Sequence, residues 1–224
     1  MKINVNGEEI ILHHSGVAFW PKHKMLIVSD LHLEKGSHFA MRGFFLPPYD
    51  STETLDRLRV VCDEFDTQRL IILGDCFHDD GGFDRLPSAA REAFNGLLRY
   101  DPIWIKGNHD GDFVPPGFQD FISYTQDGLI FRHEAEEGTD AGEISGHFHP
   151  KAHIQHKQSL IWRPCFVEDG EKLLMPAFGA YTGGLAVDHP QIKCIFSRAP
   201  NLHILGGKRL FSFNIQDIER IRQD

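Results

Sequence analysis

Three apolar runs in the first half of the chain each end in polar residues and glycine. They are Lys24–Ser29, Arg69–Leu73 and Ile103–Lys106. Runs of this length and apolarity predict buried parallel strands. Apolar residues at helical spacing follow Asp50, which can cap a helix, and recur over Pro87–Arg99. The alternation of strand and helix predicts a doubly wound α/β fold, in which ligands collect beyond the carboxyl ends of the strands.

Elsewhere the pattern is one of short strands and turns. The pair Asn6-Gly7 predicts a β-hairpin near the start of the sequence, and Val17–Trp20 predicts a further short strand. Lys35–Tyr49 is rich in Gly, Phe and Pro and predicts a loop, whereas Ile215–Arg222 predicts a last helix. The remaining pattern predicts a second, mostly antiparallel sheet packed on the first. Its predicted strands are Phe121–Tyr124, Leu129–Arg132, Glu143–Ser145, Ser159–Trp162, Lys172–Leu174 and Cys194–Phe196.

Composition limits the class of protein. The chain has 224 residues, of which 41% are hydrophobic and 25% charged, and this predicts one globular domain over residues 1–224. The net charge of −9 argues against a broad basic face that coats nucleic acid, but does not exclude a phosphate substrate. We expect a cytoplasmic protein with no membrane partner, because no apolar stretch has the length of a membrane span. Widely separated cysteines predict reduced thiols packed as small hydrophobes.

Each predicted strand end carries side chains that can bind metal ions. Taken singly, an Asp, Asn or His in such a place is more often a turn former or a strand cap. Several loops that each follow an apolar run can instead converge on one site. Oxygen and imidazole donors without a thiolate suit Mn²⁺, Fe or Zn²⁺, and so many donors indicate two metal ions bridged by a carboxylate. The candidate ligands are Asp30, His32, Asp75, Asn108, His133, His147 and His149.

Five segments carry a resemblance to a known family. Asp30–His32, Gly74-Asp75, Gly107–Asp110, His133 and Gly146–His149 resemble, in order and over most of the chain, the motifs of the calcineurin-like metallophosphoesterases. Finer features resemble a small bacterial branch associated with DNA ligase and repair helicase genes. Those features are Asp30–Gly36, Leu46–Asp50, Gly146–Pro150 and Pro176–Gly184. The resemblance implies a two-sheet β-sandwich flanked by helices, with four layers in the order α/β/β/α.

The resemblance also implies a role for each motif residue. One metal ion would be held by Asp30, His32, Asp75 and His149, and the other by Asp75, Asn108, His133 and His147, with Asp75 as the bridge. His109 would be the catalytic residue, which stabilises or protonates the leaving oxygen. Asp110 could orient His109 or cap the turn, and His78–Asp80 could fix ligand orientation or form a solvated acidic loop. The family often has Gly after its isolated metal-binding His, where this chain has Glu134.

The implied activity is that of a Mn²⁺-dependent endonuclease of single-stranded DNA in DNA repair. The nucleophile would be a bridging water activated by the two metal ions, and the protein would be functionally associated with a DNA ligase and a repair helicase. One alternative is a small-molecule phosphoesterase that acts on a cyclic nucleotide or a phosphomonoester. The other is a catalytically silent, metal-binding scaffold. The sequence does not indicate an oligomeric state.

Residues near the motif loops could contact such a substrate. Basic side chains could hold flanking phosphates, and aromatic ones could stack on unpaired bases. An ordinary surface or core role fits each of them equally well. The basic candidates are Lys35, His38, Arg42, Lys106 and Lys151, and the aromatic candidates are Phe39, Phe44, Phe45 and Tyr49.

Overall fold

The computed structural model describes residues 1–44, 46, 47, 49–138, 141–156 and 159–217. Its strands, in chain order, are β1 (Lys2–Val5), β2 (Glu8–Leu12), β3 (Ala18–Trp20), β4 (Met25–Val28), β5 (Arg69–Leu73), β6 (Pro102–Ile105), β7 (Gln119–Phe121), β8 (Ser123–Gln126), β9 (Leu129–Arg132), β10 (Glu143–Ser145), β11 (Lys151–His156), β12 (Ser159–Glu168), β13 (Leu173–Leu174), β14 (Asn201–Leu205) and β15 (Leu210–Asn214). Its helices are α1 (Lys35–Met41), α2 (Asp50–Glu64), α3 (Gly82–Arg85), α4 (Ser88–Asn95) and α5 (Pro190–Lys193), with 3₁₀ turns at Pro21–His23 and Gly96–Tyr100.

The strands form two sheets. The first has seven strands in the order β1 to β7, antiparallel from β1 to β4 and parallel from β4 to β7. The second has eight strands in the order β15-β14-β12-β13-β10-β9-β8, with β11 also paired to β12. Only β13–β10 and β10–β9 are parallel pairs in this second sheet, which confirms its mostly antiparallel character. The predicted α/β fold with two sheets flanked by helices is therefore confirmed.

Alternate residues of the parallel strands face two different cores. Leu26 and Val28 of β4 pack in a cluster with Leu58 of α2 and Phe94 of α4. Their neighbours Met25 and Ile27 pack between the sheets, in a cluster that includes Phe131 and Phe166. A third cluster, on the outer face of the second sheet, joins β12 and β14 to α5. Because β4 is covered on both faces, all of its residues are buried, which explains its unbroken apolar run.

Two predicted segments differ from the structure for local reasons. Lys35–Tyr49, predicted as a loop, begins with α1. Asp50, predicted to cap α2, instead accepts a hydrogen bond at Oδ2 from the backbone N–H of Gly36 (3.0 Å), which anchors the first turn of α1. Cys194–Phe196 is not a strand, because α5 occupies the preceding residues. Pro190 stands at the first helical position, and His189 caps the helix through its side chain.

Other segments differ in extent. The predicted strand Phe121–Tyr124 is divided between β7 and β8, which belong to different sheets, and β11, β14 and β15 were not predicted. The predicted helix Ile215–Arg222 lies mostly outside the described residues. All four cysteines are free thiols, and three are buried as expected, but Cys194 is exposed. No helix within the described residues has both the length and the apolarity that a membrane crossing requires.

Candidate metal centre

The candidate ligands meet where loops of the two sheets face each other. Three parallel strands, β4, β5 and β6, bring their carboxyl ends to one edge of the first sheet, and the loops after β9 and β10 reach the same place from the second sheet. Backbone hydrogen bonds join neighbouring loops, since the N–H of His32 donates to the carbonyl of Asp75 (2.9 Å) and that of Gly146 to the carbonyl of His133 (2.8 Å). The structure therefore brings together all seven candidates, namely Asp30, His32, Asp75, Asn108, His133, His147 and His149.

The first cluster consists of Asp30, His32 and His149. Nε2 of His149 lies 3.1 Å from Oδ1 of Asp30 and 3.3 Å from Nε2 of His32. Ligands of one cation at about 2.1 Å each stand roughly 3.0–3.5 Å apart in octahedral or tetrahedral geometry. These three side chains therefore have the spacing of ligands around one ion.

The second cluster consists of Asp75, Asn108, His133 and His147. Nε2 of His133 lies 3.0 Å from Oδ1 of Asn108, 3.0 Å from Nδ1 of His147 and 3.5 Å from Oδ1 of Asp75. Glu134 does not displace His133, which is buried, and its carboxylate instead lies 3.7 Å from Nε2 of His147. This cluster too has the spacing of ligands around one ion.

Asp75 lies between the clusters. Its Oδ2 is 3.8 Å from Nε2 of His32, and its Oδ1 is 3.5 Å from Nε2 of His133. Burial raises the pKa of this carboxyl, although His133 and the backbone N–H of His109 act in the opposite direction. A carboxylate with one oxygen toward each cluster has the placement that a bridging ligand requires.

The hydrogen bonds of the site leave electron pairs unpartnered where a cation would sit. Nδ1 of His133 is 2.9 Å from the carbonyl of Leu73, so this nitrogen carries the proton and Nε2 presents its lone pair. That lone pair faces Oδ1 of Asn108, which is also an acceptor. Within the described residues, no hydrogen-bond donor reaches Oδ1 of the buried Asp30, whereas its Oδ2 accepts from the hydroxyl of Ser29 and the backbone N–H of His147. The donor set therefore fits divalent cations.

The protonation states also suit metal binding. Burial alone would raise the pKa of Asp30, but interactions with His149, His133 and Ser29 outweigh it and the pKa is lowered. Burial lowers the pKa of His32 to about 3, and it also lowers the pKa of His147. At neutral pH the carboxylate is thus ionised and these imidazoles are neutral, which are the forms that coordinate metal ions.

Most of the candidate ligands have left-handed backbone conformations. Such conformations cost a residue other than glycine roughly 1–2 kcal/mol, and they concentrate at functional sites. They occur at Asp30 (φ 54°), His32 (φ 43°), Asp75 (φ 48°), His147 (φ 69°) and His149 (φ 46°). Gly146 permits the close approach of the two sheets here, because a Cβ at this position would lie 1.7 Å from Oγ of Ser29. The backbone is held in sharp turns that aim these side chains at one another.

His109 adjoins the clusters without belonging to either. Its backbone N–H donates to Oδ1 of Asp75 (2.9 Å), and Nε2 of its ring lies 4.0 Å from Oδ2 of the same carboxylate. Nδ1 is 3.0 Å from the carbonyl of His78, and the two imidazole rings stack with centroids 5.1 Å apart. The side chain is 40% exposed, compared with 3% for His32, so Nε2 can reach an approaching substrate.

Asp110 anchors the loop rather than orienting the ring of His109. Its Oδ1 accepts from the backbone N–H groups of Cys76 and Phe77 (2.9 and 3.2 Å). Its Oδ2 accepts from Nε1 of Trp104 and the backbone N–H of Gly107 (3.0 and 2.9 Å). Of the two roles considered from sequence, the structure supports the turn cap.

Two supporting features were underestimated from sequence. His78, for which a solvated loop was favoured, is half-buried against His109, and its place three residues after Asp75 was the available signal. The segment Pro176–Gly184 was noted only through the resemblance. Within it, the backbone N–H groups of Phe178 and Gly179 donate to the carbonyls of Ser29 and Asp30 (2.9 and 3.0 Å). This segment therefore fixes the backbone of a ligand from the second sheet's side.

Comparisons with known proteins agree with this geometry. A family model described as calcineurin-like phosphoesterase matches residues 23–195. Among solved structures, the chain is similar to the nuclease MPE of Pseudomonas putida, with 25% sequence identity, a TM-score of 0.73, and coverage of 95% of this chain and 99% of that chain. A predicted phosphoesterase from Streptococcus pneumoniae matches with 13% identity over 85% of this chain and 96% of that chain, but its TM-score of 0.31 carries no argument. The comparison with curated proteins gave no significant match.

The matched residues include every candidate ligand and His109. Two clusters of metal-binding side chains lie together at the strand ends of a two-sheet sandwich. The chain belongs to the calcineurin-like phosphoesterase family and is a metal-dependent phosphoesterase.

Proposed function

We propose that this phosphoesterase is an endonuclease that hydrolyses phosphodiester bonds of single-stranded DNA in DNA repair. The observation that carries the proposal is the similarity to a nuclease over 95% of the chain, at a TM-score of 0.73. The net charge of −9 supports a single strand rather than a duplex, because duplex binding relies on a broad basic footprint.

The seven donors have separate roles in this proposal. One cation is held by Asp30, His32 and His149, the other by Asn108, His133 and His147, and Asp75 is shared by both. Two divalent cations bound there lower the pKa of a water molecule and stabilise the charge on the phosphate oxygens. The absence of thiolates from the donor set favours Mn²⁺, with Fe and Zn²⁺ as alternatives.

His109 acts on the leaving group. The carbonyl of His78 accepts from Nδ1, which fixes the ring and directs Nε2 toward the side of Asp75. When protonated, Nε2 donates its proton to the oxygen that leaves the phosphorus, a role suited to imidazole at neutral pH. The exposed edge of the ring admits the substrate.

Exposed apolar side chains follow α1 and offer a surface for unpaired bases. Met41 is 64% exposed, Phe44 66% and Tyr49 70%. The ring of Phe39 lies parallel to that of His78, with centroids 5.9 Å apart, so this surface begins beside the catalytic histidine. Stacking of bases on aromatic rings contributes about 1–3 kcal/mol per base and needs no duplex. Phe45, a further candidate from sequence, lies outside the described residues.

The test compares substrates in the presence of Mn²⁺. The purified protein is incubated with circular single-stranded DNA, circular duplex DNA, bis-p-nitrophenyl phosphate, p-nitrophenyl phosphate and a cyclic nucleotide. We expect cleavage of the single-stranded circle, little cleavage of the duplex, and loss of activity in His149→Ala with a measured loss of bound metal. Rapid turnover of the monoester or the cyclic nucleotide with an intact circle would refute the nuclease proposal and favour a small-molecule phosphoesterase.

Other parts of the functional assignment stay predictions. They are the division of the chain into a single domain over residues 1–224, the cytoplasmic location, and the functional association with a DNA ligase and a repair helicase. Copurification of the protein with its ligase and helicase partners from cells tests the last of these.

A further inference from the structure

Two half-buried lysines lie beside the candidate metal centre, one from each sheet. Lys35 begins α1, three residues after His32, and Lys151 begins β11, two residues after His149. Burial is the main cause that lowers the pKa of Lys35, with Asp75 opposing this effect and repulsion from Lys151 adding to it. The charge of Lys35 also acts on His32. The two ammonium groups are therefore close enough to act on one another and on the centre.

Neither lysine is neutralised by a carboxylate. In the described parts of the chain, no carboxylate oxygen lies within 4.0 Å of Nζ of Lys35 or of Lys151. Nζ of Lys151 donates to the backbone carbonyl of Thr182 (3.0 Å), which leaves donor capacity free. Lysine is rarely buried without a partner of opposite charge, since desolvation penalises the ammonium group. This pair therefore has the character of a site for an external anion.

Other basic candidates near the motif loops are already engaged. His38 forms an ion pair with Asp79, which is also held by Arg85. Nζ of Lys106 lies 3.7 Å from Asp120 and on the far side of its loop contacts the carbonyl of Asp112 (3.4 Å). The structure thus separates Lys35 and Lys151 from the basic residues whose charges are satisfied within the protein.

We propose that Lys35 and Lys151 bind a phosphate of the substrate chain next to the phosphate that is cleaved. The anion is a second phosphate rather than the cleaved one, because the metal ligands and His109 already surround the position of the cleaved group. Lysine is an effective phosphate ligand as a point charge. The subsite rests on the proposed diesterase function, and it distinguishes a polynucleotide from a small diester that carries a single phosphate.

The experiment uses two matched pairs of substrates. Thymidine 3′-(p-nitrophenyl phosphate) is compared with the same compound bearing a 5′-phosphate, and thymidine 5′-(p-nitrophenyl phosphate) with the same compound bearing a 3′-phosphate. For the wild-type protein with Mn²⁺, we expect the added phosphate to raise kcat/KM in one of the two pairs by at least about tenfold, the size of one charge-assisted hydrogen bond. The gain should be mainly in KM, because the added phosphate is remote from the reacting bond.

Substitutions identify the groups responsible. Lys35→Gln and Lys151→Gln should each remove most of that gain, and Lys35→Arg should retain it. Lys24→Gln is the matched control, since Lys24 precedes β4 at the end opposite Asp30 and pairs with Asp66 (2.7 Å) on the surface. Thermal melts verify that each variant is folded. A gain from the added phosphate that is equal in wild type, Lys35→Gln and Lys151→Gln overturns the proposal, as does the absence of any gain in wild type.

A second readout is independent of catalysis. Binding of a fluorescent oligothymidylate to the metal-free protein is measured by anisotropy at several salt concentrations. Each lost phosphate contact should reduce the magnitude of the log–log salt slope by about 0.7 for a single strand. If the single-stranded circle is not cut but the added phosphate still acts through Lys35, the subsite holds and the nuclease proposal fails. If the circle is cut and both lysine variants behave as Lys24→Gln does, the subsite alone fails.

Discussion

The loop anchor Asp110 offers a sharp test of how the centre is supported. Its two carboxylate oxygens accept four hydrogen bonds, from three backbone N–H groups and the indole of Trp104, and the side chain is buried. In Asp110→Asn the shape is kept, but one oxygen becomes an NH₂ group. Whichever way the amide is turned, two of the four donors then face a donor.

The magnitude follows from that count. A buried N–H without an acceptor costs about 1–3 kcal/mol, so two such groups predict a loss of about 2–6 kcal/mol in the free energy of unfolding. For a protein of this size, each kcal/mol corresponds to about 2–4 °C in Tm, and we expect a fall of at least about 4 °C. Because Cys76 follows Asp75 and Gly107 precedes Asn108, metal affinity should fall as well.

Thermal unfolding in EDTA measures the stability loss separately from metal binding. Metal content after dialysis against Mn²⁺ measures the second effect. Asp112→Asn, at an exposed position of the same segment, is the control for removal of one negative charge and should melt within about 1–2 °C of the wild type, as surface substitutions usually do. An Asp110→Asn protein that melts with this control would show that the four hydrogen bonds do not support the loops.

Three further outcomes are expected. Asn108→Ala should lose bound metal, whereas His109→Ala should retain it and have a lower kcat, most of all for esters with poor leaving groups; metal analysis and a leaving-group series check this. His147→Gly should melt higher than His147→Ala in EDTA, because the φ of 69° is strained for alanine. Hydrogen bonds from His203 and Asn201 outweigh burial and lower the pKa of Glu168, so this residue stabilises the fold above its unfolded pKa of about 4.3. That stability is lost as pH falls through the folded pKa, and acid unfolding of Glu168→Gln should lack this component.

The sequence predicted those parts of the fold that depend on local pattern. Unbroken apolar runs predicted β4, β5 and β6, because strands covered on both faces need apolar residues throughout. The strand β14 escaped because His203 interrupts its apolar pattern, yet this histidine is buried in hydrogen bonds with Glu168 and Ser212. The helix α1 depends on a hydrogen bond from Gly36 to Asp50, fourteen residues away, which no local propensity includes.

The candidate site was predicted as a set of residues, and its geometry required the structure. The motifs identified which side chains meet, since parallel strands bring their ends together. They did not reveal that Asp110 binds the loop backbone or that the carbonyl of His78 holds His109, because such backbone partners leave little trace in residue identity. Nor could spacing along the chain separate Lys35 from Lys106, whose charges differ only in their tertiary partners.

The left-handed conformations of Asp30, His32, Asp75, His147 and His149 have a consequence for how such a chain changes under selection. Glycine relieves the strain at each of these positions, so a lineage with no further need for ester hydrolysis gains stability by discarding its ligands one at a time. Any screen for heat resistance alone would favour the same losses. An engineering programme for this protein must therefore select for metal retention and stability together.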